Sequence, residues 1–152
     1  MVRKVPLRTL GGAIDLGPPT IEQARAGLGG RAATEARAGL RVRLGEAGAT
    51  AIEGVVVFAS PREDDVWIGE GRFKRVSPGD WVASDRSDPG LAPVEADARR
   101  FAALGEGAPV TFVDRMGRSH DGTLVEKCRY GALVSDGARI VAVSFRRIAP
   151  RA

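Results

Sequence analysis

The sequence predicts a mainly β protein with short helices, built as two tandem small antiparallel β-barrels, each preceded by a helix. Three observations lead to that class. The chain of 152 residues contains 20 Gly and 9 Pro but only 5% aromatics, a composition of many turns around a thin core. Apolar and polar residues alternate over several short runs, which is the period of half-buried strands. The chain also resembles itself when slid by 68 residues without a gap. That shift superposes Arg31 on Arg99, Gly39 on Gly107, Val42 on Val110, Gly54 on Gly122, Val57 on Val125, Val66 on Val134 and Gly69 on Gly137, with Leu44 on Phe112. The matches fall on strand-facing apolar positions and on turn glycines, where the backbone itself selects the residue.

Taken in order, residues 1–19 carry Gly11-Gly12 and Pro18-Pro19 without a sustained period and read as an N-terminal arm. Residues 20–84 read as a helix plus the first barrel. Thr20 is a helix N-cap, with a helix to Leu28 stopped by Gly29-Gly30 and a second helical run over 32–38. Leu40, Val42 and Leu44 then alternate with Arg41 and Arg43, a strand with a basic outer face, and Glu46 to Ala49 makes a turn. Ile52 to Phe58 is nearly all apolar and therefore central. Ser60 to Asp65 reads as a solvated acidic turn, followed by strands at 66–68, 72–76 and 81–83.

Residues 85–93 are a connector rich in Asp and Pro, and 94–152 repeat the plan. Val94, Ala98, Phe101 and Leu104 share one helix face, with acids early, bases late and Gly105 as the stop. Strands follow over 109–113, 123–129, 132–134 and 140–145, with turns over 114–122 and 135–137. A unit of about 60 residues buries only about 60% of its unfolded surface, so each copy needs a helix or a neighbour to complete it.

The run Val110 to Arg118, then Gly122 to Val125, Ala132 to Val134, Asp136-Gly137 and Val143 to Pro150, resembles the small five-stranded β-barrels of the KOW, Tudor and Sm kind. That resemblance implies a non-catalytic module that binds RNA, DNA or protein tails. A second stretch is similar to a duplicated, degenerate PilZ domain: Arg99-Arg100-Phe101, Pro109 to Phe112 and Glu126 to Val134. It implies a cyclic-dinucleotide or signalling adaptor. Glu126 and Cys128 stand where that family has Asp or Asn and Ser, so the resemblance implies that dinucleotide binding is lost.

The chemistry available is that of recognition. There are 23 basic and 19 acidic groups, net +4, and 20 of the 23 are Arg, whose planar fork suits phosphate. Cys128 is the sole cysteine and His120 the sole histidine, so neither a disulfide nor a Cys/His metal cluster is expected. His120 lies in turn chemistry and Cys128 in a strand, so no nucleophile–base pair and no enzyme is expected. No glycine cluster completes a phosphate loop, and no cofactor or small-molecule ligand is expected. The longest apolar stretch is Val55 to Ala59 and the N-terminus lacks a signal pattern, so a soluble, cytoplasmic, bacterial protein is expected, away from membranes.

The candidate anion or nucleic-acid contacts are Arg41, Arg43, Arg72, Lys74, Arg75, Arg99, Arg100, Arg115, Arg118, Arg129, Arg146 and Arg147, with Trp67, Trp81 and Tyr130 as stacking aromatics. Guanidinium groups would neutralise phosphates while rings stack on bases. The leading expectation is a structural or assembly component acting through β-barrel surfaces, by self-association or on a protein partner. RNA or DNA binding through the Arg-bearing strands is the alternative.

Overall fold

The computed structural model describes residues 14–16, 18–30, 38–45, 51–69 and 72–151. In chain order the elements are β1 (Ile14–Leu16), α1 (Pro18–Gly27), β2 (Arg41–Leu44), β3 (Ile52–Ala59), β4 (Asp64–Gly69), β5 (Arg72–Val76), β6 (Trp81–Ala83), α2 (Ala92–Ala102), β7 (Pro109–Val113), β8 (Ser119–Lys127), β9 (Gly131–Ser135), β10 (Ile140–Ser144) and β11 (Ile148–Pro150). Single 3-10 turns, Pro78–Asp80 and Phe145–Arg147, precede β6 and β11. The chain is mainly β, and its two compact units are Ala33–Ala102 and the pair of segments Met1–Ala32 and Ala103–Ala152. No described helix is long and apolar enough to cross a membrane.

In the contiguous unit the strands form an antiparallel sheet in the order β5-β4-β3-β2-β6. β3 is buried from Gly54 through Ala59, as its apolar run demands of a central strand. Val42, Leu44, Val56, Ala59 and Val66 form the core, with Val76 and Trp81 packed against them. α2 buries Val94, Ala98 and Phe101, the apolar face read from its spacing, and packs on β3.

In the other unit the order is β1-β10-β9-β8-β7-β11. Ala24 and Leu28 of the α1 segment meet Cys128, Leu133 and Ala142 in the core. The Arg25 guanidinium grips Glu126 through Nε and through Nη2, the latter 3.0 Å from Oε1. The hydrogen bond to that carboxylate raises the Arg25 pKa above its ordinary value.

The sequence expectations need several corrections. The arm holds a strand, since β1 pairs with β10, and α1 starts at Pro18 rather than after a cap at Thr20. Pro serves well there because a helix start has no use for the missing N–H. β8 begins at Ser119, so the turn before it is four residues shorter than expected. Asp64 and Asp65 lie on β4 with no exposure at all, which rules out a solvated acidic turn. Strand pairing among the described residues runs from one edge to the other in each sheet, so the sheets are open in their pairing. Each helix belongs to the unit that holds the other copy's strands: α1 packs on β1 and β10, α2 on β3. The helical run over 32–37, the turn over 46–49 and the arm before residue 14 lie outside the described residues.

The two sheets share one register. Arg41↔Val55, Val42↔Gly54, Arg43↔Glu53 and Leu44↔Ile52 in the first become Pro109↔Thr123, Val110↔Gly122, Thr111↔Asp121 and Phe112↔His120 in the second, each partner displaced by 68. The bulge also recurs, between Val56 and Phe58 and between Leu124 and Glu126. Gly39 (φ +86°) donates to the Val56 carbonyl and Gly107 (φ +88°) to the Leu124 carbonyl, both at 2.7 Å. Beyond the hairpin between β4 and β5 the displacement drops to 67, because Phe73 to Val76 match Ile140 to Val143. The first copy therefore has one more residue in that hairpin.

A Cβ on Gly54 would lie 2.5 Å from Val66 Cγ1 and 2.8 Å from the Trp67 carbonyl; on Gly122 it would meet Val134 Cγ1 and the Ser135 carbonyl, each at 2.7 Å. Backbone cannot move aside, so Gly54→Ala and Gly122→Ala should each destabilise the fold by about 1–3 kcal/mol. Gly105→Ala, with nothing within 4 Å of the new methyl, should leave the melting temperature unchanged. Thermal unfolding of the three variants checks this, and three equal melting temperatures would refute it.

Candidate nucleic-acid interface

Of the basic positions singled out by sequence, Arg41, Arg75, Arg99 and Arg100 are paired with acids, and Arg43, Arg129, Arg146 and Arg147 are half-buried. Arg41 Nη2 lies 3.0 Å from Glu53 Oε1 and 3.1 Å from the Arg86 carbonyl, and its side chain is only 11% exposed. Ser84 donates its hydroxyl to the same Glu53 oxygen. Arg43 is half-buried beside it, and the Nε atoms of both arginines are shielded from solvent. The basic outer face expected of β2 is therefore covered. Arg75 sits 3.0 Å from both Glu63 and Asp65. On α2, Arg99 pairs with Glu95 and Arg100 with Asp97, one helical turn apart.

The aromatics are also engaged. Trp81 Nε1 donates to Asp64 Oδ2 at 2.6 Å, which satisfies a fully buried carboxylate. Trp67 is half-buried opposite Val55 and Phe73. Tyr130 is half-buried with its ring edge against Gly29, where a Cβ would come within 2.7 Å. Arg129 is half-buried in the turn after β8, its amide bonded to the Gly30 carbonyl. Arg72 and Lys74 stand exposed on β5.

A cleft of about 440 Å³ in the contiguous unit is lined by Arg41, Arg86 and Arg99, but also by Asp85, Asp88 and Glu95. Three cations against three anions give it no net sign.

The remaining cations gather at the hairpin between β7 and β8. Asp114 shapes it: its amide and carbonyl bond Arg118 and Gly117, and its Oδ1 accepts the amides of Met116 (2.8 Å) and Arg118 (3.0 Å). Asp at the first turn position and Gly117 in the left-handed region (φ +79°) are the residues this three-residue loop requires. Its Oδ2 holds His120 Nε2 at 2.8 Å, and His120 stacks on Phe112 with ring centroids 5.2 Å apart.

That carboxylate is thus consumed inside the turn, while Arg115, Met116 and Arg118 are exposed at its tip. From the 3-10 turn, Arg147 reaches the Asp114 carbonyl through Nη1 at 3.3 Å, with Arg146 beside it. The hairpin ridge thus carries Arg115 and Arg118 near its tip and Arg147 bonded to its backbone, with Met116 78% exposed. Asp121, two rungs along, is bonded by the Thr111 hydroxyl. Asp114 is the organising residue that sequence reading passed over as part of a turn. The signal was present in Asp-x-x-Gly at 114–117.

Cys128 is buried near Glu126 just past the end of β8, whereas His120 lies at the start of that strand and is held by Asp114. Among the described residues no group of three or more His, Cys, Asp or Glu could hold a metal ion.

Asp114 is held below the usual carboxylate range, first by its bond to His120 and then by the Arg118 amide; Asp136 is lowered in the same direction by the amides of Ala138 and Arg139. A carboxyl whose pKa is depressed in the folded state stabilises the fold above its unfolded pKa of about 3.9, and that contribution disappears as pH falls through the folded value. The melting temperature should therefore drop below about pH 4, and Asp114→Asn should reduce the drop. An unchanged acid limb in the variant would exclude this role.

No protein-family model matches the chain, and no curated protein was found that is similar to it.

Proposed function

We propose that the chain is a non-enzymatic binding module made of two copies of a small curled β-unit of the KOW, Tudor and Sm kind. In this reading it binds RNA or DNA through the β7–β8 hairpin of its second copy. Support for the unit type comes from strand order, the bulged and glycine-bent second strand, and the 3-10 turn before the last strand in both copies. One observation carries the binding reading: Arg115 and Arg118 are exposed while the only carboxylate in the loop is satisfied by two amides and His120. Arg115 and Arg118 outnumber the single Asp114 carboxylate of the loop, and the resulting net positive charge attracts phosphates and releases their counterions. Arg147, tied to the hairpin backbone, adds a third guanidinium at low entropic cost because it is already positioned.

The expected behaviour is binding to short oligonucleotides with a steep inverse dependence on salt. Replacing Arg115 and Arg118 with Gln should weaken binding to every sequence and flatten the log–log salt slope by about 2, since each phosphate contact contributes about 0.9. Replacing Arg99 and Arg100, which are paired along α2, should change the slope little. A slope unaffected by the hairpin substitutions, or absent in the native protein, removes the proposal.

A further inference from the structure

Among the described residues, the second sheet carries a strand with no counterpart in the first. β1 adds along β10, with Ile14 opposite Ala142, Asp15 opposite Val141 and Leu16 opposite Ile140. By their own pairing with β9 and β4, Ile140, Val141 and Ala142 are the counterparts of Phe73, Lys74 and Arg75. Among the described residues, β5 is instead the end strand of its sheet. Burial follows the difference: β10 is buried from Val141 to Ser144, while Arg72, Lys74 and Arg75 of β5 are exposed.

Bare edge strands bond further strands readily, and charges on them decide which strands are accepted. Arg75 already holds Glu63 and Asp65, and Arg72 and Lys74 are exposed cations of β5 that would lie beside the side chains of an added strand. In the register that β1 takes on β10, the residue matching Asp15 stands opposite Lys74.

We propose that the β5 edge is a docking site for an extended acidic segment of a partner protein, which adds antiparallel to β5 as a sixth strand in the manner of β1 on β10. Backbone hydrogen bonds supply the affinity, and the pairing of a carboxylate with Lys74, supported by Arg72, supplies the selection. The site lies in the contiguous unit, on different residues from the hairpin ridge, and stands or falls separately from nucleic-acid binding.

The test is fluorescence anisotropy of the full chain with two labelled peptides of equal length, one alternating valine with glutamate and one alternating valine with lysine. The glutamate peptide should bind at least about tenfold more tightly, a difference that Lys74→Glu with Arg72→Glu should invert. Both positions are exposed, and circular dichroism of the variant, together with the milder Lys74→Ala, verifies that the sheet is retained. Hydrogen exchange should show the amides of 72–76 newly protected when the glutamate peptide is bound. Equal affinity for the two peptides, no binding, or protection elsewhere overturns the proposal. So does concentration-dependent protection of 72–76 without any peptide, which would give the edge to a second copy of the chain. Displacement of the peptide by an oligonucleotide with loss of 72–76 protection would assign these cations to nucleic acid and equally overturn it.

Discussion

A hydrogen atom is the only side chain that fits where the long second strand of each copy passes its neighbour. Gly54 faces Val66 and the Trp67 carbonyl, and Gly122 faces Val134 and the Ser135 carbonyl, at separations no Cβ tolerates. Two residues further on, each strand carries its bulge. Close approach followed by a bulge is how an antiparallel strand is made to bend. That bend lets one strand, β3 or β8, pair along its first half with the preceding strand and along its second half with the following one. A core mostly of Val, Leu and Ala then suffices, with the few aromatics concentrated inside it: Phe58, Phe101, Phe112 and Phe145 are all buried.

On this shared register the two sheets differ in what they bury. The first pairs Asp64 with the Trp81 indole and Asp65 with Arg75. At the corresponding positions the second has Ala132 with Ile148 and Leu133 with Ala142, all buried. Buried carboxylates are tolerated only when hydrogen-bonded, so in the first copy each acid fixes its partner in place. The second unit also buries a carboxylate, Glu126, and there Arg25 of α1 is the cation that it holds. Its hairpin cations are left for the solvent, and this division of labour follows from packing rather than from the number of arginines each half contains.

How much of this was legible in the sequence differs by level. The 68-residue shift carried the strand register, because glycines at turns and close approaches are set by backbone geometry. The apolar face of α2 was also readable, as was the central position of β3. Ion pairing was half legible: Glu95–Arg99 and Asp97–Arg100 have helical spacing, but Arg41–Glu53 and Arg75–Asp65 depend on cross-strand register, and the hydrogen bond from the Trp81 indole to Asp64 depends on tertiary placement. Three residues such as Ile14-Asp15-Leu16 carry no period that could announce a strand. Nor does amphipathicity say which sheet a helix covers.

Which sheet each helix covers has a consequence for how the chain is completed. The contiguous unit gathers α2 and five strands from one unbroken stretch, so its contacts close over short loops. The other unit takes β1 and α1 from one end of the sequence and β7 to β11 from the other, with Arg25 and Glu126 meeting across 101 residues. Contacts of such separation carry a larger loop-closure cost, but a chain segment already folded between them shortens the effective loop. The contiguous unit, folding first, would bring the two ends of its neighbour together. The Arg25–Glu126 pair, half-buried beside Cys128, secures α1 against a sheet whose strands, apart from the adjoining β1, come from the far end of the sequence.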